Sequence, residues 1–176
     1  MVKLGFYRMN SDVQIPVLGT SMSACFDLRF CPTWDVVYGY DKYNLPVSRS
    51  VDKITKSIGI WSGDRLLIPT GLVFKIESDV REDLARYSIR LHARSGLALK
   101  RGLVLSNSEG VVDVDYQQEV FVMLTNVSGV HQDIDFQERV AQAEIVRNEG
   151  FTLAELPIMP EAHSERNGGF GSTGTK

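Results

Sequence analysis

The clearest indication of the fold is one strand-like run, Asp64-Arg65-Leu66-Leu67-Ile68-Pro69-Thr70-Gly71-Leu72-Val73-Phe74-Lys75-Ile76. It is rich in Leu, Ile, Val and Phe, and only a proline and a glycine interrupt it. Stretches of similar composition recur at residues 3–9, 87–92, 103–107, 119–126, 140–146 and 151–156, separated by Gly, Pro, Asn or Asp. Many short strands of this kind predict an antiparallel sandwich or barrel of jelly-roll type.

Only two stretches favour helix. Residues 78–85 begin with Ser78, a plausible N-cap, and continue into an acidic first turn. Residues 95–101 favour one short turn of helix at most. The chain has no internal repeat and no stretch typical of a linker. We therefore expect an all-β fold with little helix, in a single domain over residues 1–176.

Composition limits the function classes. The 176 residues are 43% hydrophobic and carry a net charge of −3, which suits one domain with its own core and disfavours a general nucleic-acid surface. Cys25 and Cys31 are too few for a disulfide framework, and no set of Cys and His has the spacing of zinc ligands. We expect both cysteines to be buried as apolar side chains. The chain has neither a signal-peptide pattern nor a membrane-spanning stretch, which predicts a soluble cytoplasmic protein, in the host cytoplasm if a phage encodes it.

Residues 31–63 differ from the rest of the chain because they show no sustained period. They contain two Trp, three Tyr and two Pro, and dispersed aromatic residues argue against disorder. We interpret the segment as an ordered insertion or elaborated loop. It could extend a subunit contact, cover a site or bind a partner protein; the simplest alternative is an elaboration that packs on its own domain.

The C-terminal stretch, Arg166-Asn167-Gly168-Gly169-Phe170-Gly171-Ser172-Thr173-Gly174, concentrates groups that suit a phosphorylated ligand. Closely spaced glycines let backbone N–H groups approach an anion, and hydroxyls add further donors. Arg166 supplies a charged fork for phosphate oxygens, and Phe170 supplies a flat face for a nucleobase. We expect a flexible tail at residues 160–176 that closes over its ligand; a solubilising tail is the alternative.

Four further motifs precede this tail in a fixed order. They are Ser23-Ala24-Cys25-Phe26-Asp27-Leu28-Arg29, Arg94-Ser95-Gly96-Leu97-Ala98-Leu99-Lys100, Gly110-Val111-Val112-Asp113-Val114-Asp115-Tyr116 and Glu138-Arg139-Val140-Ala141-Gln142. With the tail, they resemble the five ordered motifs of the trimeric dUTP pyrophosphatases (dUTPases), over residues 20–174 and at compatible spacing. The resemblance implies a jelly-roll β-barrel with a swapped C-terminal segment. The length and the 31–63 segment favour a viral, possibly phage-encoded, origin.

The third motif carries the chemistry that the resemblance implies. Asp113 matches the catalytic aspartate, which holds and deprotonates the attacking water; alone, an aspartate between valines would more often be a turn residue. Tyr116 matches the tyrosine that packs under the deoxyribose and excludes a 2′-hydroxyl, with a core tyrosine as the alternative. Asn107 matches the asparagine that reads the uracil edge, since its amide offers a donor and an acceptor; a turn residue before Gly110 is the alternative. The resemblance also implies that Gly110, which opens the motif, is a substrate-binding residue.

The other motifs imply a phosphate site. The segment Arg94-Ser95-Gly96 matches the phosphate-binding second motif, at a helix start where free N–H groups favour anions. Gln142 matches a phosphate-side donor. Asp27 matches an aspartate that braces the site and acts on the metal through water. Arg139 could equally be structural, so we leave it outside the predicted catalytic set.

The resemblance also implies a cofactor and an assembly. Mg²⁺ would be bound mostly by the three phosphates and by water. The family forms homotrimers whose sites lie between subunits, with the tail crossing from one chain to another. In the tail, Arg166 would contact the terminal phosphate, Phe170 would stack on the uracil, and Gly171, Ser172 and Thr173 would donate to the β and γ phosphates.

The implied activity is hydrolysis of dUTP to dUMP and pyrophosphate, which limits uracil incorporation into DNA and supplies dUMP for dTTP synthesis. Two alternatives remain. One is a regulatory module of the same fold that binds a protein through residues 31–63. The other is a dCTP deaminase-like enzyme, which would need a proton-shuttling glutamate in its third motif and would lack this tail.

Three positions depart from the family pattern. Cys25 stands where glycine is usual, Ala93 replaces a proline, and Gln118 stands where glycine is common. The cysteine puts the backbone geometry near Asp27 in doubt, and Gln118 does so for the far end of the hairpin that carries Asp113. None of the three replaces a chemical group of the site, so we expect activity to survive.

Overall fold

The structure is a computed structural model that describes residues 2–161, except for the side chains of residues 81–83. Within that part of the chain, thirteen strands, one helix and one 3₁₀ turn form. They are β1 (Val2–Arg8), β2 (Phe26–Arg29), β3 (Val36–Tyr40), β4 (Pro46–Ser50), β5 (Ile58–Ile60), β6 (Arg65–Pro69), β7 (Leu72–Ser78), the 3₁₀ turn (Arg81–Arg86), β8 (Tyr87–His92), α1 (Ser95–Arg101), β9 (Leu103–Leu105), β10 (Gly110–Asp113), β11 (Phe121–Asn126), β12 (Gln132–Ile134) and β13 (Arg139–Arg147). The predicted all-β class with little helix is confirmed.

The strands form four antiparallel sheets. A four-stranded sheet has the order β10-β8-β13-β2, and a five-stranded sheet has the order β4-β3-β6-β11-β9. Two further sheets pair β1 with β7 and β12 with β5. None of these sheets closes on itself within the described residues, so the chain is a layered jelly roll and no single sheet forms a complete barrel.

One hydrophobic core joins all four sheets. It receives Leu28 from β2, Ile60 from β5, Leu66 from β6 and Phe74 from β7, all nearly inaccessible to solvent. In β11, buried and more exposed positions alternate, as expected of strands with one face on a core. This core fixes the four-stranded sheet, and that sheet carries most of the predicted site.

Residues 64–76 form two strands that belong to different sheets. The break falls at Thr70 and Gly71, between β6 and β7. Gly71 has φ +67, and a Cβ there would lie 2.3 Å from Cγ2 of Val13. Only glycine fits this conformation and this close approach, so the interruption within the run is a corner between sheets.

One predicted strand is absent, and one predicted helical turn begins later than expected. Residues 151–156 form no strand, and Phe151 and Leu153 are 82% and 92% exposed, because no strand among residues 2–161 pairs with them. The helical turn predicted at 78–85 begins later, at Arg81, and Val80 rather than Ser78 precedes it without a side-chain cap. The Ser78 hydroxyl instead accepts a hydrogen bond from the Val80 N–H. The short helix at 95–101 is confirmed as α1.

Residues 31–63 are ordered and carry β3, β4 and β5. The β3–β4 hairpin turns at Asp41, whose carboxylate accepts the backbone N–H groups of Tyr43 and Leu45 at 2.9 Å each. β3 also pairs with β6, and Val37 lies in the core. The segment therefore packs on its own domain. Its status as an insertion, and any partner that it binds, stay predictions.

The two cysteines differ in burial. Cys31 is buried, as predicted, and its pKa is raised mainly by that burial. Cys25 is only half-buried, so the prediction for it was wrong. No helix in the described part of the chain is long and apolar enough to cross a membrane. The predicted tail residues Arg166, Phe170, Gly171, Ser172 and Thr173 lie outside the described residues.

Candidate active site

Four of the residues predicted to lie around the nucleoside line one cavity. This nucleoside cavity has a volume of ≈ 540 Å³ and lies beside β10. Asn107, Gly110, Asp113 and Tyr116 all line it, together with apolar side chains that include Phe121. A cavity with apolar walls and a few polar groups suits a small organic ligand such as a nucleoside.

Asp113 is held at the last position of β10. It pairs with Ser88 of β8, and its carbonyl accepts the N–H of Tyr116, which closes a turn directly after the strand. The Asp113 side chain is exposed, and no described side chain bonds to it or pairs with it. Its carboxylate is therefore available to hold a water molecule in the cavity.

Asn107 lies in the turn between β9 and β10. Its carbonyl accepts the N–H of Glu109 at 2.6 Å, across Ser108, which has φ 62. The predicted turn role of Asn107 is thus present in its backbone. Its side-chain amide is exposed and bonds to none of the described residues, which leaves it free to pair with a base edge.

Tyr116 lies at the cavity surface and outside the core. Its ring is 39% exposed, which argues against a core tyrosine, and its hydroxyl donates to the carbonyl of Glu119 at 2.9 Å. The Glu119 carboxylate is buried and accepts hydrogen bonds from the Gly71 N–H and the Thr33 hydroxyl. Burial raises the pKa of Glu119, and those hydrogen bonds oppose the shift. The tyrosine is therefore tied to the β6–β7 corner.

Gly110 is buried where β10 crosses β8. A Cβ on Gly110 would lie 3.0 Å from the Cβ of Leu91 and 3.4 Å from its Cδ1. The absence of a side chain therefore lets β10 pack closely on β8. This packing fixes the position of Asp113 at the other end of the strand.

The predicted phosphate residues line a second cavity. This phosphate cavity has a volume of ≈ 470 Å³ and its lining includes Arg94, Ser95, Gly96 and Gln142. It also includes three basic residues that the sequence prediction did not assign, which are Lys100, Arg101 and Arg139. The concentration of cationic side chains suits an anionic ligand.

Asp27 holds two arginines of this cavity in place. Its Oδ1 lies 3.0 Å from Nε of Arg94, and its Oδ2 lies 3.3 Å from Nη1 of Arg139. Arg94 also donates to the Arg139 carbonyl at 3.4 Å, and Gln142 donates to the carbonyl of Ala93 at 3.2 Å. The contacts give Asp27 a bracing position and show that Arg139 belongs to the same cluster.

The helix α1 presents the second motif to the cavity. Arg94 is its N-cap residue, and Ser95 and Gly96 are exposed in its first turn. Buried Leu97 fixes the helix on the core. At its other end Arg101 pairs with Glu138 and donates to Gln132, so its charge is already neutralised within the chain. Arg101 therefore anchors α1, whereas Arg94 and Arg139 share the single carboxylate of Asp27, and no described acidic side chain pairs with Lys100.

The departures at Cys25 and Gln118 leave the strands intact. Beside Cys25, Phe26 pairs with Ala143 and Asp27 pairs with Gln142, in regular register. Burial raises the pKa of the Cys25 thiol, and the carboxylates of Glu144 and Asp27 add to the shift. Gln118 is exposed beyond the turn that holds Tyr116.

The two cavities lie far apart within one chain. Asp113 is opposite Ser88 at one end of β8, whereas Arg94 follows the other end, six residues along. At about 3.3 Å per residue this places them roughly 20 Å apart. A triphosphate alone, which contains only two P–O–P links, is shorter than this backbone separation.

Comparison with solved structures shows the fold. A dUTPase of Staphylococcus bacteriophage 80alpha, with dUpNHpp, matches 98% of both chains with a TM-score of 0.69 at 16% identity. A dUTPase from Streptococcus mutans matches 84% of this chain and 98% of its own with a TM-score of 0.57 at 22% identity. The chain therefore has the fold of these all-β dUTPases.

Sequence comparison shows the family. The family model "dUTPase" matches residues 60–174. A deoxyuridine 5′-triphosphate nucleotidohydrolase of Nautilia profundicola is 34% identical over 98% of this chain and 99% of its own, and one of Heliobacterium modesticaldum is 32% identical over 98% and 97%. The protein belongs to the dUTPase family. The family match includes the tail residues up to 174, whereas Asp27 lies outside it.

Proposed function

We propose that this protein is a dUTP pyrophosphatase that hydrolyses dUTP to dUMP and pyrophosphate. The observation that carries the proposal is the nucleoside cavity, where Asp113, the amide of Asn107 and the exposed ring of Tyr116 meet. The side chains of Asp113 and Asn107 have no partner among the described residues. Membership of the dUTPase family and the cationic phosphate cavity support the same reaction.

Asp113 would position and deprotonate the water that attacks the α-phosphate. Because the pairing of β10 with β8 fixes its backbone and no described side chain competes for its carboxylate, the aspartate can orient water without first breaking an ion pair. A carboxylate is a weak base, so orientation contributes more than basicity.

Substrate selectivity would come from two groups on the same cavity wall. The amide of Asn107 would donate to and accept from the uracil edge, and a base that leaves these groups unpaired would be rejected. The ring of Tyr116, fixed by its hydrogen bond to Glu119, would occupy the space that a 2′-hydroxyl needs.

The phosphate cavity fits a metal that arrives with the substrate. Both oxygens of Asp27 face arginines, so this carboxylate is poorly placed to hold a resident cation but well placed to brace Arg94 and Arg139. Mg²⁺ bound to the triphosphate would neutralise part of its charge. Arg94, Arg139 and the donors of Ser95 and Gln142 would then orient the β and γ phosphates.

A complete site would need more than one chain, which supports a homotrimer. The backbone separation of roughly 20 Å between Asp113 and Arg94 supports a site whose two cavities come from different subunits. Residues 151–159 expose Phe151, Leu153, Ile158 and Met159, which is the kind of apolar segment that a neighbouring copy would cover. The tail, with Arg166 and Phe170, would complete the site.

The activity is tested by pyrophosphate release from dUTP, dCTP, dTTP and UTP in magnesium. We expect release from dUTP, little from the other three, and a decrease in kcat of about 10²- to 10⁴-fold in Asp113→Asn. The thermal transition of the variant should match that of the wild type, since Asp113 is exposed and unpaired. Wild type that is silent on all four nucleotides would refute the proposal, and ammonia release from dCTP would favour the deaminase alternative.

The shared site is tested by mixing two inactive variants. Asp113→Asn and Arg94→Ala would be co-expressed with different tags, and hybrid oligomers would be purified on both tags. If one site combines the two cavities of different chains, some sites in a hybrid retain both native residues and activity returns. Hybrids as inactive as the parent variants would show that Asp113 and Arg94 act within one chain.

A further inference from the structure

Three metal-ligand side chains meet on neighbouring strands outside the proposed catalytic groups. Cys25 immediately precedes β2, Glu144 lies in β13, and His92 ends β8. These strands are adjacent in the order β8-β13-β2. Sγ of Cys25, a ring nitrogen of His92 and a carboxylate oxygen of Glu144 all lie within 4.8 Å of one another, and all three residues are half-buried.

The sheet register explains why these side chains share one face. Ala143 pairs with Phe26, which puts Glu144 across from Cys25, and Gln142 pairs with His92, two positions from Glu144. Side chains two positions apart on a strand point to the same side. Antiparallel pairing therefore places the three ligand side chains on one face of the sheet.

The donor set favours zinc over magnesium. A thiolate, an imidazole and a carboxylate are the ligand types of Zn²⁺, which takes four ligands in a tetrahedron, and a water molecule would complete the set. Mg²⁺ prefers six oxygen ligands and does not suit a thiolate. The charges also balance, because one thiolate and one carboxylate neutralise a divalent ion.

A further carboxylate lies near His92, on the side of the ring away from Glu144. Its Nε2 lies 3.1 Å from Oε1 of Glu144, and its Nδ1 lies 3.8 Å from Oε1 of Glu109 on the opposite side of the ring. A histidine that binds a metal through one nitrogen usually has a carboxylate or carbonyl near the other, which fixes the ring. Glu109 is in turn paired with Arg90 at 3.1 Å.

We propose that Cys25, His92 and Glu144 bind one Zn²⁺ ion per chain. None of the three residues lines the phosphate cavity or the nucleoside cavity. The zinc site fastens β8, β13 and β2 together beside Asp27, which braces the phosphate arginines. The proposal does not depend on dUTP hydrolysis, because metal binding is measured without substrate.

The test is metal retention by the full chain. Protein stripped with a chelator would be incubated with Zn²⁺ in the presence of excess Mg²⁺, desalted and assayed for metal. We expect one zinc per chain and a higher thermal transition with zinc than without it. With Co²⁺ as the probe, a sulfur-to-cobalt charge-transfer band should develop. Zinc lost on desalting, or displaced by Mg²⁺, would overturn the proposal.

Matched variants identify the ligands. Cys25→Ser should abolish the charge-transfer band, whereas Cys31→Ala should retain it, because Cys31 is buried elsewhere in the core. His92→Gln should lose zinc retention, and His131→Gln, which changes a histidine packed at a tilted angle against Trp61, should not. If a variant and its control lost the charge-transfer band or zinc retention to the same extent, the assignment of the ligands would be overturned. Thermal unfolding of the zinc-free variants would confirm that each is folded.

Glu109 is tested as a positioning residue. Glu109→Gln should weaken zinc affinity by about 10- to 100-fold and leave the charge-transfer band in place, since the ligands themselves are unchanged. An affinity equal to that of the wild type would overturn its role. Complete loss of the band would contradict the positioning assignment, because it would make Glu109 a ligand.

Discussion

The nucleoside cavity and the phosphate cavity differ in how their polar side chains are held. Asp113 and Asn107 bond to no described side chain and are fixed only through their backbones. Arg94 and Arg139 are instead paired with Asp27. A group that must take up water or a base edge benefits from being free, whereas a group that binds phosphate benefits from an orientation set in advance. Mutations should therefore affect different kinetic parameters in the two cavities.

The largest expected contrast is between the two aspartates. Asp27→Asn removes the charge that holds two arginines, so we expect KM for dUTP to rise about ten- to hundredfold and the thermal transition to fall. Asp113→Asn should lower kcat and leave KM and the thermal transition nearly unchanged. Steady-state kinetics and thermal unfolding of both variants provide the check. A large change of KM in Asp113→Asn would contradict the division between the cavities.

The next largest contrast is expected when one glycine of each cavity is replaced by alanine. Gly110→Ala forces a Cβ to within 3.0 Å of Leu91, so we expect a loss of about 1–3 kcal/mol in the free energy of unfolding. At Gly96 a Cβ would meet nothing within 4 Å, and alanine in a helix should gain up to about 1 kcal/mol. Urea unfolding measures both. The Gly96→Ala variant should nevertheless have a higher KM, since its methyl group lines the phosphate cavity.

A smaller effect is expected on the discrimination between the deoxyribose and the ribose nucleotide. Tyr116→Phe removes only the hydrogen bond to the Glu119 carbonyl, so the ring keeps its bulk but loses its tether. We expect the preference for dUTP over UTP to fall by at most about tenfold, with kcat for dUTP nearly unchanged. The ratio of kcat/KM for the two nucleotides is the measurement. An unchanged ratio would show that the position of the ring does not depend on its hydroxyl.

The smallest effect concerns pH. Because burial raises the pKa of Glu119, the folded state holds this proton more tightly than the unfolded state. Its contribution to the free energy of unfolding is present in acid and is lost as the pH rises through the raised value. Glu119→Gln should remove that slope and keep the hydrogen bond from Gly71. Denaturant unfolding across the acidic range tests this, and parallel curves for the variant and wild type would contradict it.

Some elements could be predicted from local sequence patterns alone. The strand β8 and the helix α1 were predicted at their observed bounds, because apolar composition and a short helical run are local properties. Residues 151–156 have the composition of a strand but pair with no strand in the described part of the chain, so the local pattern misled. The β6–β7 corner was missed because Gly71 is required by contact with Val13, far away in the sequence.

Local motifs also predicted only part of the candidate site. The ordered motifs identified Asp113, Asn107 and Tyr116, since each lies within a short recognisable pattern. They did not assign Arg139, whose partner Asp27 is 112 residues away. The charge pattern Glu138-Arg139 could have suggested a role, but only the pairing of β13 with β2 brings Arg139 to Asp27.

The sequence by itself determined the all-β class, the family and the residue types of both cavities, because these depend on composition and on ordered local motifs. Tertiary structure decided which side chains meet. Cys25, His92 and Glu144 have no zinc-ligand spacing along the chain, yet the sheet register brings them within 4.8 Å of one another. The physical reason is that strand pairing joins residues distant in sequence, and its register is fixed by the burial of one sheet face against the core.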